Sequence, residues 1–250
     1  DANGAKAVSK DVYQESDGGK WVRYDENGKM IKGWNTNEKG TYYFDPITGA
    51  MAKGDVEIDG VPCSFDETTG IGLNLAWKQE NGKDYWYENG VKQGTTGRGK
   101  EIYDPDSDAW YWLDANQGGA KAVSKDVYQG SNGGKWVRYD ANGHMIKGWD
   151  TNDDGTYYFD LVTGAMTKGD ATIDGLPCSF DTVTGIGLNC AWKRINGKDY
   201  WYEAGKRQGY DPNNAAYRGK EICDPASDAW YWLDSDANGA KAVSKDVYQE

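Results

Sequence analysis

Gly19-Lys20-Trp21-Val22-Arg23-Tyr24-Asp25-Glu26-Asn27-Gly28-Lys29-Met30-Ile31-Lys32-Gly33-Trp34 decides the reading of this chain. It contains a short aromatic segment ending in an acid (Trp21–Asp25), an Asn-Gly turn signal, and a shorter apolar return at Met30-Ile31. Glycine supplies the positive φ that tight hairpin turns require. The same pattern recurs downstream. Thr41-Tyr42-Tyr43-Phe44-Asp45, Pro62-Cys63-Ser64-Phe65-Asp66, Asp84-Tyr85-Trp86-Tyr87-Glu88 and Trp110-Tyr111-Trp112-Leu113-Asp114 align with Trp21–Asp25. Each runs into a turn signal: Thr48-Gly49, Thr69-Gly70, Asn89-Gly90 and Gly118-Gly119. Strand, turn and returning strand at a period of about 20 residues describe a β-hairpin repeat.

Side chains along a strand alternate between two faces. The second and fourth places of the five segments read Val22/Tyr24, Tyr42/Phe44, Cys63/Phe65, Tyr85/Tyr87 and Tyr111/Leu113, all apolar or aromatic. The first and third places are mixed: Trp21/Arg23, Thr41/Tyr43, Pro62/Ser64, Asp84/Trp86 and Trp110/Trp112. One constant face therefore stacks unit on unit and one variable face is left over. A lone hairpin is marginal in water, whereas stacked hairpins bury a continuous strip of rings, each about 150–250 Å². The pattern predicts an all-β fold, an elongated solenoid of stacked β-hairpins with nearest-neighbour stability. No helix of ordinary length is signalled, and Lys6–Gln14 reads as a returning strand.

A longer repeat encloses the short one. Ala5–Gln14 recurs identically at Ala120–Gln129 and Ala240–Gln249, and Trp21–Trp34 maps onto Trp136–Trp149. The second copy is lengthened where Gly94-Thr95-Thr96-Gly97-Arg98-Gly99-Lys100 becomes the longer Gly209–Lys220 stretch, with an insertion around Tyr210–Ala216. The division is a first long repeat over 1–119, a second over 120–239 and the start of a third over 240–250, each full repeat holding five hairpins. Asp1-Ala2-Asn3-Gly4 matches Asp236-Ala237-Asn238-Gly239, so both ends fall at one phase of the repeat. That predicts a segment of a longer array, whose secretory leader lies elsewhere.

Composition narrows the function classes. The 250 residues carry 28 Lys+Arg against 40 Asp+Glu, a formal charge of −12. A phosphate-binding surface needs a basic face, so the charge disfavours nucleic acid as a partner and none is expected, and docking on an anionic membrane is disfavoured. No apolar run reaches the roughly 20 residues of a membrane helix, so membrane insertion is not expected. Glycine (34), tyrosine (18) and tryptophan (12) are abundant, with 4 Phe and a single histidine, His144. One histidine leaves no basis for His-centred catalysis or a His-rich metal site, and no cofactor or metal is expected. The acids before the turns (Asp25, Asp45, Asp66, Asp114) read as Asx-type turn residues. The cluster Asp104–Asp108 lacks the spacing of a calcium loop. A pair of glycosidase carboxylates would appear twice, on a surface without a deep pocket, so the chain reads as non-enzymatic.

Four cysteines are present. Cys63 and Cys178 occupy one repeat position on the core face and read as small buried hydrophobes. Cys190 replaces Leu75 and Cys223 replaces Tyr103, both only in the second copy, which predicts a Cys190–Cys223 disulfide between neighbouring hairpins. No Cys-x-x-Cys spacing suggests zinc.

Gly19–Trp34, Gly40-Thr41-Tyr42-Tyr43-Phe44-Asp45-Pro46-Ile47-Thr48-Gly49-Ala50-Met51-Ala52-Lys53-Gly54 and Asn81–Gly94 resemble the cell-wall-binding repeats of Gram-positive surface proteins. This superfamily includes choline-binding modules, glucan-binding repeats and clostridial toxin receptor-binding repeats. The resemblance implies a secreted or surface-attached, non-catalytic module binding choline on teichoic acid, or saccharide, in aromatic clefts between hairpins. Carried over residue by residue, it implies a cage of Trp21, Trp34 and Tyr43, repeated by Trp136, Trp149 and Tyr158, with Met30 and Met145 as further lining. Ring faces attract quaternary ammonium. Thr41, Pro62 and Asp84 depart from the opening Trp, and Gly54-Asp55 from the closing Gly-Trp.

Trp110 and Trp112, copied as Trp230 and Trp232, form a second candidate pair on the variable face. Trp86 and Trp201 sit beside Asp84 and Asp199 as a further cation or sugar-hydroxyl candidate. For all these rings the structural reading, a seal between hairpins, stands beside the ligand reading. Three functions follow: a wall-binding module gaining strength by avidity over several grooves, a rigid stalk without a ligand, or an adhesin or toxin-type repeat binding a host protein or glycoprotein. Open ends of a solenoid also predict end-to-end self-association.

Overall fold

The computed structural model describes residues 4–130 and 133–246. Asp1–Asn3 and the Val247–Gln249 end of the third repeat lie outside the described residues. The chain forms two compact units, Asp1–Ser124 with Ala141–His144, and Lys125–Asp140 with Met145–Glu250. Among the described residues only strands and three short 3-10 turns are present.

The first unit runs β1 (Lys10–Gln14), β2 (Lys20–Tyr24), β3 (Gly33–Asn37), β4 (Gly40–Phe44), β5 (Gly54–Ile58), β6 (Val61–Phe65), β7 (Ala76–Glu80), β8 (Lys83–Glu88), β9 (Val91–Lys92), β10 (Gly99–Asp104), β11 (Ala109–Asp114) and β12 (Ala120–Lys121). The second unit repeats this order: β13 (Lys125–Gln129), β14 (Lys135–Tyr139), β15 (Gly148–Asn152), β16 (Gly155–Phe159), β17 (Gly169–Ile173), β18 (Leu176–Phe180), β19 (Ala191–Ile195), β20 (Lys198–Glu203), β21 (Lys206–Arg207), β22 (Gly219–Asp224), β23 (Ala229–Asp234) and β24 (Ala240–Lys241). In each unit two separate two-stranded hairpins precede an eight-stranded antiparallel sheet.

The hairpins are real, but their main partner strand differs from the sequence expectation. Trp21–Asp25 was expected to pair with the return after Asn27-Gly28. Instead β2 pairs along its length with the preceding β1, and β4 and β6 likewise pair with β3 and β5. The return contributes only a bridge, Tyr24↔Met30, Phe44↔Met51 or Phe65↔Gly72. Turn chemistry explains the choice. Asp59-Gly60 and Asn81-Gly82 take positive φ at both residues (51° and 78°, 51° and 75°), the geometry of the two-residue turn that matches strand twist. The turn after β4 is held differently. Asp45 Oδ1 accepts the Ile47 and Thr48 amides at 2.9 and 2.6 Å and the Thr48 hydroxyl at 2.9 Å, a local side-chain bond that competes with a ladder. Asn89-Gly90 does close a two-residue hairpin, joining β8 to β9.

The returns stitch one hairpin to the next. Met51 N–H donates to Trp21 O of the preceding hairpin at 2.8 Å, and Ala52 N–H to Tyr43 O of its own at 2.8 Å. Gly72 and Leu73 repeat this with Thr41 O and Ser64 O at 2.8 and 3.0 Å. These returns thus satisfy the backbone of one hairpin against the next within a unit, which is how stacked hairpins spread burial along the chain. Most of the constant face is core: Val22, Phe44 and Leu113 are fully buried, and Tyr42, Cys63, Phe65, Tyr87 and Tyr111 nearly so, while Tyr24 and Tyr85 are half-buried. Two rings of the variable face are buried as well. Trp86 is 1% and Trp112 6% exposed. Strand β8 lies inside the eight-stranded sheet, with β7, β9 and β12 all bonded to it, and Trp86, expected on the open face, packs with Ile102 and with Tyr111 and Leu113 of the expected constant face, so the two-face alignment does not carry over from β8 to β11.

Candidate functional site

The register pairs rings across the hairpins. Tyr13 faces Trp21, Trp34 faces Tyr43, Trp77 faces Trp86, and Tyr103 faces Trp110. Their ring centroids lie 5.5, 5.0, 5.0 and 5.3 Å apart, within the range where aromatic pairs attract. The second unit repeats Tyr128/Trp136, Trp149/Tyr158 and Trp192/Trp201. At the third hairpin, where Gly54-Asp55 departs from Gly-Trp, Asp55 faces Ser64. Ser64 donates to Asp55 at 2.7 Å, and Lys78 reaches both. A polar triad replaces the ring pair there, and Asp170, Ser179 and Lys193 repeat it.

The three expected members of the first cage divide. Trp34 and Tyr43 meet edge to face, and Phe65 of the next hairpin lies 5.9 Å from Trp34. Trp21 belongs instead to a separate cleft of about 280 Å³ lined with Asp11, Arg23, Tyr42, Met51 and Lys53. No described ring contact joins Trp21 to Trp34. Met30 packs toward Gly49, where an added methyl would fall 2.2 Å from its sulfur. In the second copy Trp149 meets Tyr158 and Phe180 at 5.1 and 5.9 Å, while Trp136 pairs with Tyr128. Trp110 and Trp112 make no ring contact with each other. Trp110 leans on Tyr103, and Trp112 is withdrawn against the Gly99 backbone. Trp230 is 68% exposed against 40% for Trp110, because Cys223 stands across from it in place of the Tyr103 ring. Trp232 is half-buried.

Trp77 and Trp192 were absent from the sequence-derived candidates. Trp77 contacts Trp86 and Tyr111 at 5.0 and 4.9 Å and donates its indole N–H to Asp104 at 3.0 Å. Ala76-Trp77 stands where Gly33-Trp34 stands two hairpins earlier, so the closing small-residue–Trp pattern was the available signal. Asp104 also accepts from Asp106 N–H and the Ser107 hydroxyl, which accounts for the acid cluster as a turn.

Cations already lie over several of these rings. Lys53 and Lys168 sit 5.8 and 5.6 Å from the Trp21 and Trp136 centroids. Lys121 and Lys241 each sit 5.2 Å from Trp77 and Trp192, and Lys206 sits 4.3 Å from Trp149. These distances fall within cation–π range. Trp34, 44% exposed, has no such neighbour among the described residues. Burial, then the Asp59 and Asp45 carboxylates, push the Tyr43 phenol up. The same negative charges favour a cation in the corner that Tyr43 makes with Trp34.

Cys190 and Cys223 are free, exposed thiols, and the expected disulfide between them is not formed. Cys190 adopts φ 48° just before β19, and its thiol donates to Asn189 Oδ1 at 3.9 Å; Cys223 on β22 faces Trp230 on β23. Cys63 and Cys178 are buried, and burial pushes both thiols up.

Residues 14–55, which hold Trp21, Trp34 and Tyr43, match the choline-binding repeat family. The match covers less than half of the chain. The fold is similar to that of choline-binding protein F from Streptococcus pneumoniae, solved with a peptidoglycan analogue, at 20% identity and TM-score 0.54, covering 81% of this chain and 71% of that one. It is also similar to the choline-binding domain of CbpL from Streptococcus pneumoniae at 23% identity and TM-score 0.52, covering 78% of this chain and 96% of that domain. Both likenesses are of fold. A search of curated proteins returns no match. Within the repeat, Trp34 and Tyr43 form the open corner, and Trp21 lies beside Lys53.

Proposed function

We propose that this chain is a non-catalytic, cell-surface binding module for choline-bearing wall polymer, and that the Trp34–Tyr43 corner is its principal ammonium site. The observation that carries this reading is the half-exposed Trp34 ring, 5.0 Å from Tyr43, inside the matched segment and with no internal cation over it. A trimethylammonium group is a large, weakly hydrated cation, and two ring faces at a corner suit it better than a hydrogen-bonding pocket would. The formal charge of −12 adds long-range attraction for a cationic headgroup and works against bare polyphosphate. Rings with lysine over them support a second, structural role: they seal junctions.

The test is co-sedimentation with walls bearing choline-substituted teichoic acid and with the same walls stripped of choline. The reading expects sedimentation only with the first, its loss on adding free choline, and its loss in Trp34→Ala with the strand circular dichroism unchanged. Equal sedimentation with both walls would overturn the choline assignment in favour of a saccharide or protein ligand.

A further inference from the structure

Two homologous corners differ in the residue that pairs with the buried cysteine beside them and in the length of the stretch that follows it. In the first unit Cys63 on β6 pairs with Val91, and in the second Cys178 on β18 pairs with Lys206. Val91 packs beside Tyr43 in the Ile58–Cys63–Phe65 cluster. Lys206 instead sends its ammonium over Trp149, 4.3 Å from the ring centroid. The other ring-capping lysines have a second partner. Lys53 donates to Thr68 O at 2.6 Å, Lys168 to Val183 O, Lys121 pairs with Asp84 at 2.8 Å, and Lys241 with Asp199 at 3.7 Å. Among the described residues no carboxylate lies within ion-pairing distance of Lys206, so the ring is its principal contact. The lengthened Gly209–Lys220 stretch then walls the same place: Tyr210, Asp211, Pro212 and Tyr217 close a cleft of about 390 Å³ with Trp149 and Lys206.

We infer that the two corners have parted in ligand chemistry. The Trp34 corner takes a quaternary ammonium, and the Trp149 corner carries its own cation, Lys206, in that place and rejects one. The inference rests on the proposed function for the identity of the ligand. Its physics is competition: a tethered ammonium acts at an effective concentration on the order of millimolar. A free cation must displace it from the ring and then sit beside it with like charge. Lys206 is therefore the residue that decides cation specificity between two ring pairs of like geometry.

Proton–nitrogen correlation spectra resolve individual indole N–H signals. Trp34 and Trp149 are assigned with Trp34→Phe and Trp149→Phe, and choline chloride is titrated against sodium chloride at matched ionic strength. The expected result is a Trp34 signal that shifts and saturates, while Trp149 responds only at about tenfold higher choline or not at all. Lys206→Val should lower the Trp149 midpoint by about tenfold or more, and Val91→Lys should raise that of Trp34 by as much. Unchanged signals from Trp86 and Trp201 show that each variant is folded. A smaller change in Lys206→Val, or no Trp149 response in it, overturns the inference. A silent Trp34 in the unmutated protein overturns the proposed function, and the Trp149 response in Lys206→Val still decides the role of Lys206.

Discussion

A methyl group placed on Gly72 would lie 2.7 Å from both the Cα and the amide nitrogen of Gly90. Neighbouring returns meet there backbone to backbone, with Gly90 N–H donating to Leu73 O at 2.7 Å and Ser64 N–H donating to Gly90 O at 2.8 Å. The second unit repeats the approach at Gly187 and Gly205, also at 2.7 Å. Gly72 itself has no positive φ, so the requirement is steric. Gly72→Ala should destabilise the first unit by about 1–3 kcal/mol, the usual cost of overpacking. Gly97→Ala is a poorer control, since its φ of 66° adds strain; Gly130→Ala, with open space around it, is the better one. Urea denaturation of both variants gives the comparison, and equal midpoints would show that the two backbones part without cost.

The thiols give a second outcome. Cys190 and Cys223 are exposed and unbridged, while Cys63 and Cys178 are buried with thiols pushed up by burial. Thiolate is the reactive form. A maleimide added to native, unreduced protein should label two sites quickly and two only on unfolding. Mass spectrometry of the digest locates them. Two thiols in total after unfolding without reductant would show that Cys190 and Cys223 are bridged.

Acid should loosen the turns. The Thr48 amide, then its hydroxyl, hold the Asp45 carboxyl below the usual carboxylate range, and Asp66, Asp160 and Asp181 are held down in the same way by Thr69, Thr163 and Thr184. Lys78 first, then Ser64, does this for Asp55. A carboxyl depressed in the folded state contributes stability that is complete above its unfolded value, about 3.9, and that is lost as pH falls through the folded value. The urea midpoint should therefore be flat from about pH 7 to about pH 5 and fall steadily below about pH 4. A midpoint at pH 3 equal to that at pH 7 would show that these turns do not depend on ionised aspartate.

The constant face was legible because the period of two in Val22/Tyr24, Tyr42/Phe44 and Tyr111/Leu113 is imposed by backbone geometry alone. The turns were legible in kind but not in use. Asn27-Gly28 and Asp59-Gly60 look alike as dipeptides, yet the aspartate two residues before Gly28's pair, Asp25, accepts the Asn27 and Lys29 amides at 2.9 and 2.8 Å and leaves only a bridge to follow. Trp112 and Trp86 were hidden for another reason. Alternation tells which face a side chain takes, but only the sheet's neighbours tell whether that face is covered, and β12 arrives beside β8 from 35 residues downstream, at Ala120↔Tyr85. The ring-capping lysines were invisible for the same reason. Lys206 and Trp149 lie far apart in sequence, and their meeting depends on the Cys178 pairing.

Burial separates the tryptophans that build the sheet from those whose rings reach solvent. Trp86 is 1% exposed, packs with Ile102, Tyr111 and Leu113, and donates its indole N–H to Glu88 at 3.2 Å. Trp86→Ala should cost about 3–5 kcal/mol, as for other large buried rings. Trp34 is 44% exposed and its described ring contacts are with Tyr43 and Phe65, so Trp34→Ala should cost about 1–2 kcal/mol. The two urea midpoints should therefore differ clearly, with the strand circular dichroism of Trp34→Ala unchanged. A Trp34→Ala variant as unstable as Trp86→Ala would make Trp34 a seal between hairpins, and its exposed face would then carry no argument for a ligand.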